Sequence, residues 1–151
     1  MDELAENADV RKLFPSLTTP SNDQSREIAL LPNELLTEIV VPLGGTRNAT
    51  YEVRQKEALD WPLATASVAL RMKGSTVASA RVVLGHVAPT PWAATQADQL
   101  LAGKSLTESV VEEAAKAALS SATPLSQNAY KVQLARVAVK RALMEAARGR
   151  A

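Results

Sequence analysis

Two stretches of alternating small residues, joined by a turn too short for anything but a reversal, constrain this chain most. In "ATASVALRM", Ala64, Ala66, Val68, Leu70 and Met72 fall on one face, with Thr65, Ser67 and Arg71 on the other. After "KGST", the run "VASARVVLG" alternates again and places Ala78, Ala80, Val82 and Leu84 on a single face. A connection this short permits only an antiparallel hairpin. Aromatic residues make up only 3% of the chain against 46% apolar residues, so the core is expected to consist of Ala, Val and Leu. Such a core suits helices packed closely on a sheet.

Three helices are expected after the hairpin. "TPWAATQADQLLAG" carries Ala93, Ala94, Ala97, Leu100 and Leu101 on one stripe, with a proline at its start and Gly103 as its stop. "SLTESVVEEAAKAALSS" opens with Ser105 and Glu108 in capping-box spacing, and Val110, Val111, Ala114, Ala115 and Ala118 form its apolar stripe. "NAYKVQLARVAVKRALMEAARGR" places Val132, Ala135, Val139, Ala142, Leu143 and Ala146 on one side. Strands followed by helices give an α+β fold: a small antiparallel sheet of three to four strands packed against a three-helix layer. Upstream, "IALLPNELLTEIVVP" suggests a turn at Pro32 and Asn33, a helical turn over Glu34 to Thr37 and a strand from Glu38 to Val41. "LGGTRN" reads as a glycine-rich loop. Residues 1–27 are read as a flexible linker segment and 28–151 as one domain.

The totals exclude several kinds of chemistry. The chain has no cysteine, which removes disulfides, thiolate zinc sites and thiol catalysis. Seventeen basic and sixteen acidic residues leave a net charge of +1, with no overall attraction to nucleic acid or acidic membranes. No apolar run approaches a membrane span of about 18 residues. The acidic, polar start "MDELAENADVRK" is unlike a secretory leader, so a cytoplasmic location is expected.

Candidate chemistry gathers in two places. "GHVAPTPW" holds the single histidine, His86, two prolines and Trp92, but no nucleophile-elbow sequence accompanies it. Its bland reading is a strand-end corner. "YEVRQKEALDWPLATA" sets Arg54, Lys56, Glu57 and Asp60 beside Tyr51 and Trp61, and Pro62 forces a sharp entry into the following strand. That stretch reads equally as a solvated edge or as fixed charge beside an aromatic ligand. The last helix carries Lys131, Arg136, Lys140, Arg141, Arg148 and Arg150 against Glu145. A nucleic-acid stripe is the weaker reading there, because cations also complement a helix C-terminus.

Four segments, "LPNELLTEIVVP", "KEALDWPLATASVAL", "ARVVLGHVAPTPWAATQADQLLAGKSL" and "NAYKVQLARVAVKRAL", together resemble one known domain in the order expected of it. That domain is the C-terminal part of the FAD-binding subunit of molybdenum hydroxylases, the carbon monoxide dehydrogenase flavoprotein and xanthine dehydrogenase family. The resemblance runs over about residues 28–148. It implies that the "GxVAPxPxxA" corner is structural, fixed by Pro89 and Pro91 and packed by Trp92. His86 then stands where a second glycine is common, Ala93 where arginine is frequent and Asp98 where glutamate is usual.

The resemblance also implies an assembly. A molybdopterin subunit oxidises substrate, iron–sulfur clusters relay electrons to FAD, and the flavin subunit passes them to an acceptor. FAD is held mainly by domains N-terminal to this one, through glycine-rich backbone contacts to the pyrophosphate. The segment matching Lys56 to Asp60 approaches the isoalloxazine end, so Asp60, Lys56 and Tyr51 are the expected cofactor-facing residues. The chain looks like a detached or truncated C-terminal domain, expected neither to bind FAD tightly nor to show redox activity alone. Its expected partners are FAD-binding domains and the iron–sulfur and molybdopterin subunits. The alternative is a free-standing module that kept the fold and self-associates as a homodimer.

Overall fold

Alternation of small apolar residues turns into a four-stranded sheet in the computed structural model, which describes residues 33, 35–39, 44–56, 60–89 and 91–149. The chain divides into two units, Met1–Pro42 and Leu43–Ala151. In the first unit Asn33 lies in a turn, as expected. Residues 35–39 are neither helix nor strand, which corrects the helical turn and the start of the strand expected there. A β-branched run becomes a strand only with a ladder partner, and these residues have none among the described residues. Pro32, Glu34, Val40 and Val41 lie outside the described residues.

In the second unit the strands are β1 (Arg47–Val53), β2 (Ala64–Lys73), β3 (Thr76–Gly85) and β4 (Trp92–Ala93), and the helices α1 (Thr95–Leu101), α2 (Glu108–Ala117) and α3 (Tyr130–Ala147). The sheet order is β1-β2-β3-β4, and every neighbouring pair is antiparallel. The expected α+β class and sheet-on-helix arrangement are what the chain adopts. The hairpin turns at Gly74, whose φ of 61° is the left-handed geometry that a two-residue reversal requires. The Thr76 hydroxyl donates to the Lys73 carbonyl across it at 2.9 Å.

Three local features differ from the sequence reading. β1 was not expected: Ala49, Tyr51 and Val53 pack against the core, while Asn48, Thr50 and Glu52 alternate with them. β3 carries an irregularity where its pairing with β2 shifts between Arg71 and Met72, from Arg71 opposite Ser79 to Met72 opposite Val77. Ala78 is the extra residue, so Val77 enters the core and Ala78 stays exposed. The third difference lies after the corner. Trp92 and Ala93 pair with Leu84 and Val83 as a short strand, and the helix starts only at Thr95. Pro91, which has no N–H, therefore precedes a strand and not a helix.

The helices close over one face. α3 lies on β1 and β2, α1 lies on β3, and α2 packs on α1 and α3. Ala66, Val68, Leu70, Val82 and Leu84 from the sheet meet Ala97, Leu101, Val111, Ala114, Val139 and Leu143 from the helices in one buried cluster. Each fully buried Leu or Val contributes about 1.5–3 kcal/mol. The alanines between them allow close helix approach, and no polar side chain is buried among the described residues. Ala138 joins the expected stripe of α3. The N-cap of α2 is Thr107 and not Ser105: its hydroxyl accepts the Val110 N–H at 3.3 Å. At the other end of the layer, the Arg47 guanidinium donates to the Ala147 carbonyl at 3.1 Å and satisfies the terminus of α3.

Candidate functional site

The β1–β2 connection and the β3–β4 corner emerge at the same end of the sheet, because Val53 pairs with Ala64 and Thr65 pairs with Gly85. The Leu63 N–H donates to the Val53 carbonyl at 2.8 Å and closes the first connection. Gly85 leaves room at the second: a Cβ there would collide with the Thr65 hydroxyl oxygen and force that side chain to shift.

Tyr51 and Lys56 line one groove, of about 770 Å³, between the end of β1 and α3. Leu134, Val137 and Arg141, spaced three and four apart on α3, form the opposite wall. The Tyr51 ring lies under the Arg141 guanidinium, 4.9 Å from ring centroid to the guanidinium carbon, and the phenol accepts a hydrogen bond from it. Glu52 pairs with Arg54. Asp60 is not among the groove-lining residues. It sits half-buried on the returning limb, next to Trp61, and among the described residues it makes no ion pair. The sequence-based trio is thus divided between a groove wall and the loop that re-enters the sheet.

Trp61 is 82% exposed, the barest aromatic side chain among the described residues. Its ring lies 6.3 Å from that of His86, tilted by 57°, and so links the two connections. His86 has a φ of 62°, the left-handed region that glycine occupies without strain, which gives a physical reason for glycine at this point of the corner. The Lys131 ammonium donates to the His86 carbonyl at 2.9 Å and holds the strained peptide from α3. In the sequence Arg141 and Lys131 stand out only as members of a basic stripe, and His86 and Trp61 only as parts of the corner and of the charged connection. The spacing of Leu134, Val137 and Arg141 was the available signal for the first.

Charge is used internally on the remaining faces. Asp98, with only 13% of its side chain exposed, accepts the Val82 N–H at 2.7 Å and faces Arg81 at 3.5 Å. Burial pushes its carboxyl above the usual range, against the opposing pull of the Val82 N–H and of Arg81. Between α2 and α3, Arg136 meets Glu112 at 2.7 Å, and Lys140 meets Glu108 and Glu112 at 3.3 Å each. The Lys140 hydrogen bond first, and Arg136 second to it, hold Glu112 below the ordinary glutamate range. Lys131, Arg136, Lys140 and Arg141 of the basic stripe are therefore engaged in ion pairs and tertiary ties, and Arg150 lies outside the described residues. Among the described residues no helix is long and apolar enough to cross a membrane, and no group of three potential ligands is placed to hold a metal ion.

Residues 49–146 match the CO dehydrogenase flavoprotein C-terminal domain. The chain belongs to that family. Its relatives include the carbon monoxide dehydrogenase medium chain of Hydrogenophaga pseudoflava, 38% identical over 117 residues, which are 74% of this chain and 40% of the relative. Among solved structures, reconstituted CO dehydrogenase from Oligotropha carboxidovorans is similar with a TM-score of 0.69 and 32% identity, over 82% of this chain and 45% of that one. Quinoline 2-oxidoreductase from Pseudomonas putida 86 is similar with a TM-score of 0.67 and 27% identity, over 72% and 39%. The chain spans about two-fifths of the length of the curated relatives it matches. The matched family domain runs from β1 to the last turn of α3, so it contains Tyr51, Lys56, Asp60, Trp61, His86, Lys131 and Arg141.

Proposed function

We propose that this domain serves the FAD-binding medium subunit of a molybdenum hydroxylase, covering the ring end of the flavin and docking the flavin-binding part of the subunit, whichever chain carries that part. The observation behind the reading is the sheet end, where one connection leaves past an exposed Lys56 and returns through a half-buried Asp60 next to a nearly bare Trp61. Relatives named as CO dehydrogenase medium chains, and a similar CO dehydrogenase structure described as lacking the Mo-pyranopterin moiety of the molybdenum cofactor, give the reading its chemical setting.

The residues present fit one part of FAD. An ammonium, a carboxylate and an indole face suit the polar edge and the plane of a fused ring system. They do not supply a pyrophosphate cradle: Gly44 and Gly45 lead into strand β1 and not into a helix N-terminus. When bound, FAD supplies electron acceptance and onward transfer. Lys56 and Asp60 then contribute fixed charge near the ring, and Trp61 excludes water from it. Tyr51 acts at one remove, since Arg141 engages its hydroxyl. Iron–sulfur and molybdopterin subunits are the partners this reading requires.

The test is a titration of the purified chain with FAD to millimolar concentration, followed by calorimetry and flavin fluorescence. Weak, saturable binding reduced by Asp60→Ala is expected. Binding that is unaffected by Asp60→Ala and Lys56→Ala would remove the flavin-facing assignment. A folded chain with no flavin binding that elutes as a dimer would favour the self-associating module.

A further inference from the structure

We propose that the groove beneath the β3–β4 corner is a binding site for a small apolar monocarboxylate. This groove is separate from the residues assigned to the flavin and does not depend on that assignment. It encloses about 460 Å³, the size of an ordinary small-molecule pocket, between the corner and the segment joining α2 to α3. Leu84, Val87 and Trp92 form one wall, and Leu119 and Val132 face them. Trp92 remains 45% exposed at the rim, so an apolar ligand has aromatic surface to cover.

The charge of the groove is one-sided. Among the described residues its ionisable lining side chains are Lys131 and His86, with no Asp or Glu. The β1–α3 groove differs, with Glu52 beside Arg54, Lys56 and Arg141. An ammonium has three N–H donors. One is used on the His86 carbonyl, which fixes the position of Lys131 and leaves two for a ligand. A carboxylate accepting from them gains charge-assisted hydrogen bonds beside apolar walls, where they are stronger than in open water. A single ammonium with no arginine fork suits one carboxylate better than a phosphate dianion. Pro89, Pro91 and the left-handed peptide at His86 give the corner a preset shape. Such strain persists where surrounding contacts hold it, and the Lys131 bond lands on the strained residue itself.

The experiment compares 2-naphthoate with neutral 2-naphthamide, titrated into the full chain by calorimetry, with methyl NMR locating the bound ring. Naphthoate is expected to bind at least about fivefold more tightly than the amide, the difference between a charged and a neutral hydrogen bond. Lys131→Met, which keeps the aliphatic stem, should abolish that difference, and Lys131→Arg should retain it. In the unmodified chain the Val87 and Val132 methyl signals should shift. Equal affinities for the two probes, an advantage surviving Lys131→Met, or no saturation to about 10 mM would overturn the proposal. So would shifts confined to Val53 and Val137, which place the probe in the other groove.

Discussion

The two flanks of the sheet use their charges in different ways. On the corner flank, charged side chains bind backbone: Asp98 takes the Val82 N–H and Lys131 takes the His86 carbonyl. Around the β1 groove they bind each other or a phenol, as Glu52 does with Arg54 and Arg141 does with Tyr51, whereas Arg47 at the far end of β1 ties to the Ala147 carbonyl. A charge tied to a buried or strained peptide fixes the path of the chain and leaves a groove of one sign beside it. Charges tied to one another or to a phenol leave a groove of mixed sign and little structural consequence. The corner flank should therefore be sensitive to single substitutions, and the β1 flank tolerant of them.

The largest expected effect comes from Asp98→Ala, which strands the Val82 N–H and should destabilise the domain by about 1–3 kcal/mol in urea unfolding. Asp98→Asn keeps an acceptor in place and should lose less than half of that. Equal losses from the two variants would mean that the carboxylate acts through Arg81 instead. At His86, replacement by the β-branched Val should cost about 1–2 kcal/mol, because the left-handed conformation is retained by the corner. His86→Gly removes the strain and adds unfolded-state entropy, so thermal melting should place it within about 0.5 kcal/mol of the parent. On the β1 flank, Tyr51→Phe and Glu52→Gln should each cost no more than about 1 kcal/mol. A larger loss from either would break the contrast between the flanks.

The smallest effect is one of sign. Asp98 has its native pKa raised, so its contribution is full below the unfolded pKa and is lost as pH rises through the native one. Relative to Asp98→Asn, the parent should gain stability as pH falls from about 7 to about 4. Glu112 has its native pKa lowered by Lys140 and Arg136. Its contribution is present above the unfolded pKa and is lost as pH falls through the native one, so relative to Glu112→Gln the parent should weaken in acid. Parallel pH slopes for the two comparisons would contradict this assignment of causes.

The hairpin was legible because alternation and a short turn determine it locally, and the stripes of α2 and α3 were legible for the same reason. β1 was less so. In "RNATYEV" the core-facing Ala49, Tyr51 and Val53 are interleaved with polar residues and follow a glycine pair, and tertiary packing by α3 decides the outcome. The bulge at Ala78 depends on the register with β2 and cannot be read from one strand. The split of "PWAAT" into strand and helix depends on Val82, whose carbonyl accepts the Ala94 N–H at 2.9 Å. Of the candidate site, the connection holding Lys56 and Asp60 was readable from its charge and its proline. The ties to Arg141, His86 and Lys131 link residues far apart in sequence, and no local pattern reports them.

The most direct measurement on the flavin-facing edge is an amide NMR titration of the whole chain with riboflavin, which presents the ring without phosphate charge. Shifts at 54–56 and 60–61 are expected, with the corner groove and α2 unchanged. Shifts confined to 87–89 and 118–132, or absent at saturating ligand, would contradict the assignment of the sheet end to the flavin.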